Sequence, residues 1–173
     1  METVITKIDV EEPHIHWEHI NVQNKRVLDL GCGDFGRAMD LPYPTTAEYF
    51  IQEGASYVLG IDGNSGDIGQ LLKNTGDKLE VRYLMINSPN QIFELITNNQ
   101  IQIVKSDIEG AEEHLLTMDD ADFSLVEEYY IETHSDVLET GFLEKFARCG
   151  YNVYHKIILS HTHDRCKVLF ARK

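Results

Sequence analysis

The segment Val27-Leu28-Asp29-Leu30-Gly31-Cys32-Gly33-Asp34-Phe35-Gly36 holds the chain's densest set of residues able to do chemistry. An apolar run leads into a glycine turn. Glycines permit the tight turn and let a ligand approach the backbone closely. Asp29 and Asp34 surround that turn with negative charge, which repels a phosphate and holds a cation. Further chemical residues follow other apolar runs: Asp62-Gly63, Asn87-Ser88, Asp107 with Glu109, and His134. Each falls at the carboxyl end of a strand-like segment, where open α/β sheets bind ligands.

Gly31-x-Gly33-x-x-Gly36 also matches the dinucleotide fingerprint. A nicotinamide enzyme uses such a loop to cradle a pyrophosphate at a helix N-terminus. Asp29 and Asp34 oppose that use, and Pro42 and Pro44 delay the strong helix until Thr45. The pattern suits a ligand with an ammonium, a sulfonium and no phosphate, namely S-adenosyl-L-methionine. Gly31 and Gly33, with Asp34 and Phe35 in the same loop, are expected to hold its methionine portion. Asp29 is expected to act through charge on the ammonium. Asp62, with Gly63 beside it, is expected at the ribose, and Asn87-Ser88 at the adenine edge.

Methyl transfer from such a ligand needs the nucleophile aligned at ~3–3.5 Å. A hydroxyl nucleophile would also need a base for its proton. Asp107, Glu109 and His134 are the candidates, since histidine titrates near neutrality and a buried carboxylate is tuned toward it. The same three groups have donor chemistry for a divalent metal, but no metal is expected. Competing structural readings stand beside these: Asp107 as a helix N-cap, Asn87 as a turn residue before Pro89, and His134 as a partner of Glu132 or Ser135. Two further histidine groups, His14-x-His16-x-x-His19 and His161-x-His163-Asp164, read as solvated segments.

These residues need a scaffold, and strand-like and helix-like segments alternate along the chain, as in a mainly parallel α/β sheet. Strands are expected at Val27 to Leu30, Tyr57 to Ile61, Leu79 to Ile86, Ile101 to Lys105 and within Ser124 to Thr133. Helices are expected from Thr45-x-x-Glu48, a capping box stopped by Gly54, and at Ile68 to Lys73, Gln91 to Thr97, Gly110 to Thr117 and Val137 to Cys149. Tyr151 to Leu159 and Lys167 to Ala171 leave room only for a turn over Ser160 to Arg165. They therefore form a hairpin and add one antiparallel strand. The expectation is a Rossmann-like three-layer sandwich with a mostly parallel seven-stranded sheet. Residues 1–173 are expected to form one domain, with 1–22 a short N-terminal cap or extension and a short helix at Ile15 to Ile20. Tyr129 and Tyr130 read as sheet packing.

Composition narrows the partners. The formal charge of −14 opposes a broad phosphate-binding surface, so nucleic acid is not expected. The acidic doublets Glu112-Glu113, Asp119-Asp120 and Glu127-Glu128 read as solvated surface. No run of ~18 or more apolar residues is present, so no membrane span is expected. The N-terminal residues lack a signal-peptide pattern, and Cys32, Cys149 and Cys166 are too scattered for a disulfide framework. A cytoplasmic location is expected. Whether the chain forms a homo-oligomer is not legible.

With Asp62 and the terminal hairpin, Asp29-Leu30-Gly31-Cys32-Gly33 resembles the class I S-adenosylmethionine-dependent methyltransferases over about Val27 to Lys173. Val104-Lys105-Ser106-Asp107-Ile108-Glu109-Gly110-Ala111-Glu112 is similar to the Lys-x-Asp-x-Glu-Gly-Ala-Glu segment of the FkbM-like methyltransferases. Ile131-Glu132-Thr133-His134 resembles that family's Glu-x-His strand end, and Ile92 to Ile96 its preceding helix. The resemblance implies O-methylation of a hydroxyl on a sugar or small metabolite. The chain departs from the family in its short segment before Val27 and in its long loop from Asp34 to Pro44. Those departures motivate an alternative, a non-catalytic cofactor-binding module of the same fold. An NAD-dependent enzyme is the lesser alternative.

Overall fold

Eight strands form one sheet in the computed structural model, which describes residues 3–8, 19–33, 45–64, 69, 71, 75–108, 110–159 and 166–173. In chain order they are β1 (Val4–Ile8), β2 (Arg26–Leu30), β3 (Tyr57–Asp62), β4 (Leu79–Tyr83), β5 (Ile103–Ser106), β6 (Glu128–Thr133), β7 (Asn152–Leu159) and β8 (Cys166–Arg172). Their spatial order is β1-β7-β8-β6-β5-β2-β3-β4. All pairings are parallel except those of β8, which runs antiparallel to both β6 and β7. The Rossmann-like α/β class and the closing hairpin are as the sequence indicates. The described helices are α1 (Thr46–Gln52), α2 (Pro89–Asn99), α3 (Glu112–Leu116), α4 (Asp120–Phe123) and α5 (Asp136–Arg148).

The central strands are mostly apolar, interrupted by the buried Asp29 and Lys105, because both faces of the sheet are covered. Side chains alternate between those faces. Leu28, Leu30, Leu59, Ile61, Tyr129 and Ile131 enter one core. Val27, Val58, Ile103 and Tyr130 enter the other. Each large side chain fully buried in this way contributes roughly 1.5–3 kcal/mol. Tyr129 stacks on Phe123 with centroids 4.1 Å apart, and its hydroxyl donates to the Phe123 carbonyl at 2.9 Å. Tyr130 meets Phe170 edge-on in the opposite layer. Both tyrosines are packing residues, as expected.

Two expectations are corrected. The sheet has eight strands and not seven, and part of the 1–22 segment is a strand, β1, that pairs with β7 beyond the hairpin. Four of its five residues, Val4, Ile5, Thr6 and Ile8, are β-branched and favour extended backbone. The strand expected within Ser124 to Thr133 is present from Glu128, after a short helix in which the Asp119 side chain accepts from the Ala121 amide at 2.9 Å. Glu112 is fully buried, whereas Glu113 beside it is exposed. Adjacent helical residues face different sides, so one half of an acidic doublet can enter the protein.

The Thr45 capping box forms as expected, with Glu48 N–H donating to Thr45 Oγ1 and Thr45 N–H donating to Glu48 Oε2. The expected elements at Ile68 to Lys73, Ile15 to Ile20 and Ser160 to Arg165 lie wholly or mainly outside the described residues. No helix among the described residues is long and apolar enough to cross a membrane.

Helix α5 is tied to α4 through Lys145. Its buried ammonium donates to the Met118 carbonyl and lies 3.0 Å from Asp120 Oδ1. Hydrogen bonds from Arg148 first, and then from Lys145, hold the Asp120 carboxyl down at about 2. A carboxyl lowered in the folded state stabilises that state above its ordinary pKa, and the contribution fades as pH falls through the lowered value. Asp120→Asn is therefore expected to lower Tm at neutral pH. The gap to the unaltered chain should close between about pH 4 and pH 2, as followed by circular dichroism.

Candidate functional site at the carboxyl strand ends

Chain order reverses at the boundary between β2 and β5. From β2 the chain proceeds outward through β3 and β4, then returns to β5 on the other side and continues to β6. Such a switch point leaves a crevice beyond the carboxyl ends of the two strands. Gly31 follows β2, and Asp107 follows β5. Pairing runs past both strands, since Asp107 N–H donates to the Leu30 carbonyl at 2.9 Å. Gly31 has φ +78°, and a Cβ there would stand 1.7 Å from the Asp107 carbonyl oxygen. Only glycine lets the first turn of the loop press against β5. The Gly31 N–H is used by the Ile61 carbonyl of β3 at 2.9 Å, which ties the turn to the second neighbour.

Asp29 pairs in register with Lys105 across the β2–β5 boundary. Its carboxylate is fully buried, with Lys105 Nζ 3.1 Å from Oδ1. Neither oxygen of Asp29 makes a well-formed hydrogen bond with the described residues. Burial pushes the Asp29 carboxyl up, and the Lys105 ammonium opposes it. For Lys105 burial works against the charge, but Asp29 and then Asp107 outweigh it and raise its pKa. Lys105 also donates to the Gly31 carbonyl at 2.8 Å. Asp29 thus anchors the lysine that grips the glycine turn, and that lysine balances its charge. Lys105 was not a sequence-level candidate, although a lone lysine inside the apolar run Ile103-Val104-Lys105 is the signal for a buried partner.

Glycine serves a second close approach at Gly60. Cys32 Sγ lies 2.8 Å from where a Gly60 Cβ would be, so the β3 backbone makes room for the residue after the turn. Asp62 ends β3, and its Oδ1 accepts from the Asn64 amide at 2.7 Å. Gly63 follows, packed beneath the Met85 thioether. Asn87 and Ser88 precede α2. Both their amides donate to Gln91 Oε1, at 2.7 and 3.1 Å, and Asn87 Nδ2 donates to the Met85 carbonyl. The turn role of Asn87 is therefore present. Asp34, Phe35 and Glu109 lie outside the described residues.

The ends of β5 and β6 carry the densest charge. His134 Nδ1 and Glu112 Oε1 are hydrogen-bonded at 2.8 Å, and Glu112 Oε2 accepts from the Gly110 amide at 2.7 Å. Glu112 thereby ties the loop after Asp107 to the end of β6. His134 Nε2 is 3.6 Å from Asp107 Oδ1 and 3.7 Å from Glu132 Oε1. The hydrogen bond to Glu112, chiefly, raises His134 to about 9. Burial pushes Glu112 up, but His134 outweighs it and leaves the carboxyl below its ordinary value. Burial, and then the neighbouring Asp107, push Glu132 up to about 7. Of the sequence candidates, Asp107 and His134 are brought together. Asp62 stands on the other side of β2, at the end of β3. Sequence spacing does not single out Glu112 and Glu132, because the groups that act on them, His134 on Glu112 and Asp107 on Glu132, come from other elements.

No family model matches the chain, and no curated protein matches its sequence. Its fold is similar to that of solved structures. An S-adenosylmethionine-dependent methyltransferase from Mesorhizobium loti superposes with a TM-score of 0.56 at 15% identity, covering 94% of this chain and 97% of the other. A candidate tRNA (m1A22) methyltransferase from Streptococcus pneumoniae, solved with S-adenosyl-L-methionine, gives 0.61 at 14% identity, covering 95% and 73%. The fibrillarin pre-rRNA processing protein of Methanococcus jannaschii gives 0.61 at 10% identity, covering 88% and 68%. At these identities the likeness is one of fold.

Proposed function

We propose that this chain is an S-adenosyl-L-methionine-dependent methyltransferase, of the FkbM-like kind, acting on a hydroxyl of a sugar or small metabolite. The observation that carries the reading is the glycine turn at the switch point, where Gly31 presses on the Asp107 backbone and Asp62 closes the neighbouring strand. The fold shared with methyltransferases supports it. The donor set suits the cofactor: acidic residues stand at the strand ends, and Lys105, the cation beside the glycine turn, is committed to Asp29 and Gly31.

When bound, S-adenosyl-L-methionine supplies a methyl carbon already activated by its sulfonium. Gly31 and Gly33, with Asp34 and Phe35, hold its methionine end. Asp62 and Gly63 take the ribose, and Asn87 and Ser88 the adenine edge. Asp29 acts at one remove, by holding the lysine that fixes the turn. The acceptor hydroxyl docks beside Asp107, Glu109 and His134, which receive or steer its proton. Two of the three neighbours described above are named for RNA. For this chain the charge of −14 favours an acceptor without a phosphate backbone.

Isothermal titration with S-adenosyl-L-methionine tests the cofactor assignment. Binding is expected, and Asp62→Ala should weaken it at least about tenfold, the loss of a charge-assisted hydrogen bond. No binding, or binding of NAD in its place, overturns the reading. Radiolabelled methyl transfer to sugars, small hydroxylated metabolites and total RNA then tests the acceptor. Binding without transfer to any of them points to the non-catalytic module, and label in RNA overturns the hydroxyl-metabolite assignment.

A further inference from the structure

We propose that Glu132, His134 and Cys166 form a binding site for a divalent transition metal, with zinc the best-fitting ion and its fourth position open to water or substrate. One ligand atom from each of the three lies within 4.8 Å of the others. The fold makes this convergence. Glu132 and His134 are two apart at the end of β6 and face the same side of the sheet. Cys166 opens β8, one step beyond the antiparallel pair Thr133↔Lys167, which brings it alongside His134.

The spacing favours coordination over hydrogen bonding. The His134 Nε2 distance of 3.7 Å to Glu132 exceeds hydrogen-bond length. Two donors bound ~2.0–2.1 Å from one tetrahedral ion stand about 3.3–3.5 Å apart. A small inward movement of these side chains would reach that geometry. The other imidazole nitrogen is already fixed. Nδ1 is held at 2.8 Å by Glu112, which is buried and itself anchored by the Gly110 amide. Metal-binding histidines are characteristically oriented by such a carboxylate.

The donor types choose the ion. Magnesium and calcium prefer all-oxygen shells, whereas an imidazole, a thiolate and a carboxylate together suit zinc or its neighbours in the first transition row. On the methyl-transfer reading, on which this one consequence rests, the ion would bind the acceptor hydroxyl and ease its deprotonation, and His134 with the metal bound would be a ligand and not the base. The site itself is tested without that reading.

The full chain, stripped with chelator, is titrated with cobalt(II) and zinc(II). One equivalent of cobalt(II) should bind and give a thiolate-to-metal charge-transfer band. Cys166→Ser should abolish that band, and Glu112→Gln should weaken zinc(II) binding about 10–100-fold. Circular dichroism checks that each variant is folded. If Glu112→Gln does not fold, the cobalt band in Cys166→Ser still decides. No metal binding, a band that survives Cys166→Ser, or binding without a band overturns the site. Such a result alongside intact S-adenosyl-L-methionine binding overturns the metal site alone.

Discussion

Lys105→Met should destabilise the chain by about 3–5 kcal/mol in urea unfolding, the cost of leaving a buried charge without its partner. The Asp29 side chain is fully buried, and the Lys105 ammonium, 3.1 Å away, is the positive charge in contact with it among the described residues. The substitution also removes the hydrogen bond to the Gly31 carbonyl. Asp29→Leu combined with Lys105→Met removes both charges. It should recover most of the loss, short of ~1.5 kcal/mol for the missing grip on the turn. If the two single losses simply add in the double variant, the pair is not coupled, and Asp29 does not hold the turn through Lys105. The cofactor titration adds a second readout. The double variant should be stable but bind S-adenosyl-L-methionine more weakly, because the turn is no longer held.

Gly31→Ala should be comparably damaging for a different reason. At φ +78° an alanine pays roughly 1–2 kcal/mol in backbone strain alone. Its Cβ would also overlap the Asp107 carbonyl oxygen at 1.7 Å. That oxygen belongs to backbone paired with β2, so relief requires β2 and β5 to separate beyond their ends. The expected loss is about 4 kcal/mol or more, in the range of special backbone positions, with loss of cofactor binding. Gly110→Ala is the control. Gly110 has φ +92°, but among the described residues no atom beyond its chain neighbours lies within 4 Å of its would-be Cβ. It should lose only the ~1–2 kcal/mol of strain. Similar losses for the two variants would show that strain, and not the close approach to β5, requires glycine at position 31.

The fold class was legible because its signals are local. Apolar runs of strand length ending at glycines and aspartates alternate with helical segments, and the last two strands leave no room for a crossover. The capping box at Thr45 and the buried tyrosines of β6 follow from the same short-range rules. β1 was missed because a five-residue edge strand, half polar and far in sequence from β7, has no periodic signal beyond its β-branched residues.

The candidate site was legible only one strand end at a time. The sequence by itself determined a parallel α/β sheet with acidic and glycine residues at its carboxyl edge, because strand periodicity and turn chemistry are written in neighbouring residues. It could not say which ends meet. The order of strands, set by how helices and sheet faces bury one another, decided that Asp29 faces Lys105 and not solvent. The same order decided that Glu112, read as half of a surface doublet, is the buried partner of His134. It also brought Cys166 from the far end of the chain to Glu132 and His134. Burial and charge pairing depend on contacts between residues far apart in sequence, 76 positions for Asp29 and Lys105, and such contacts exist only once the chain has folded.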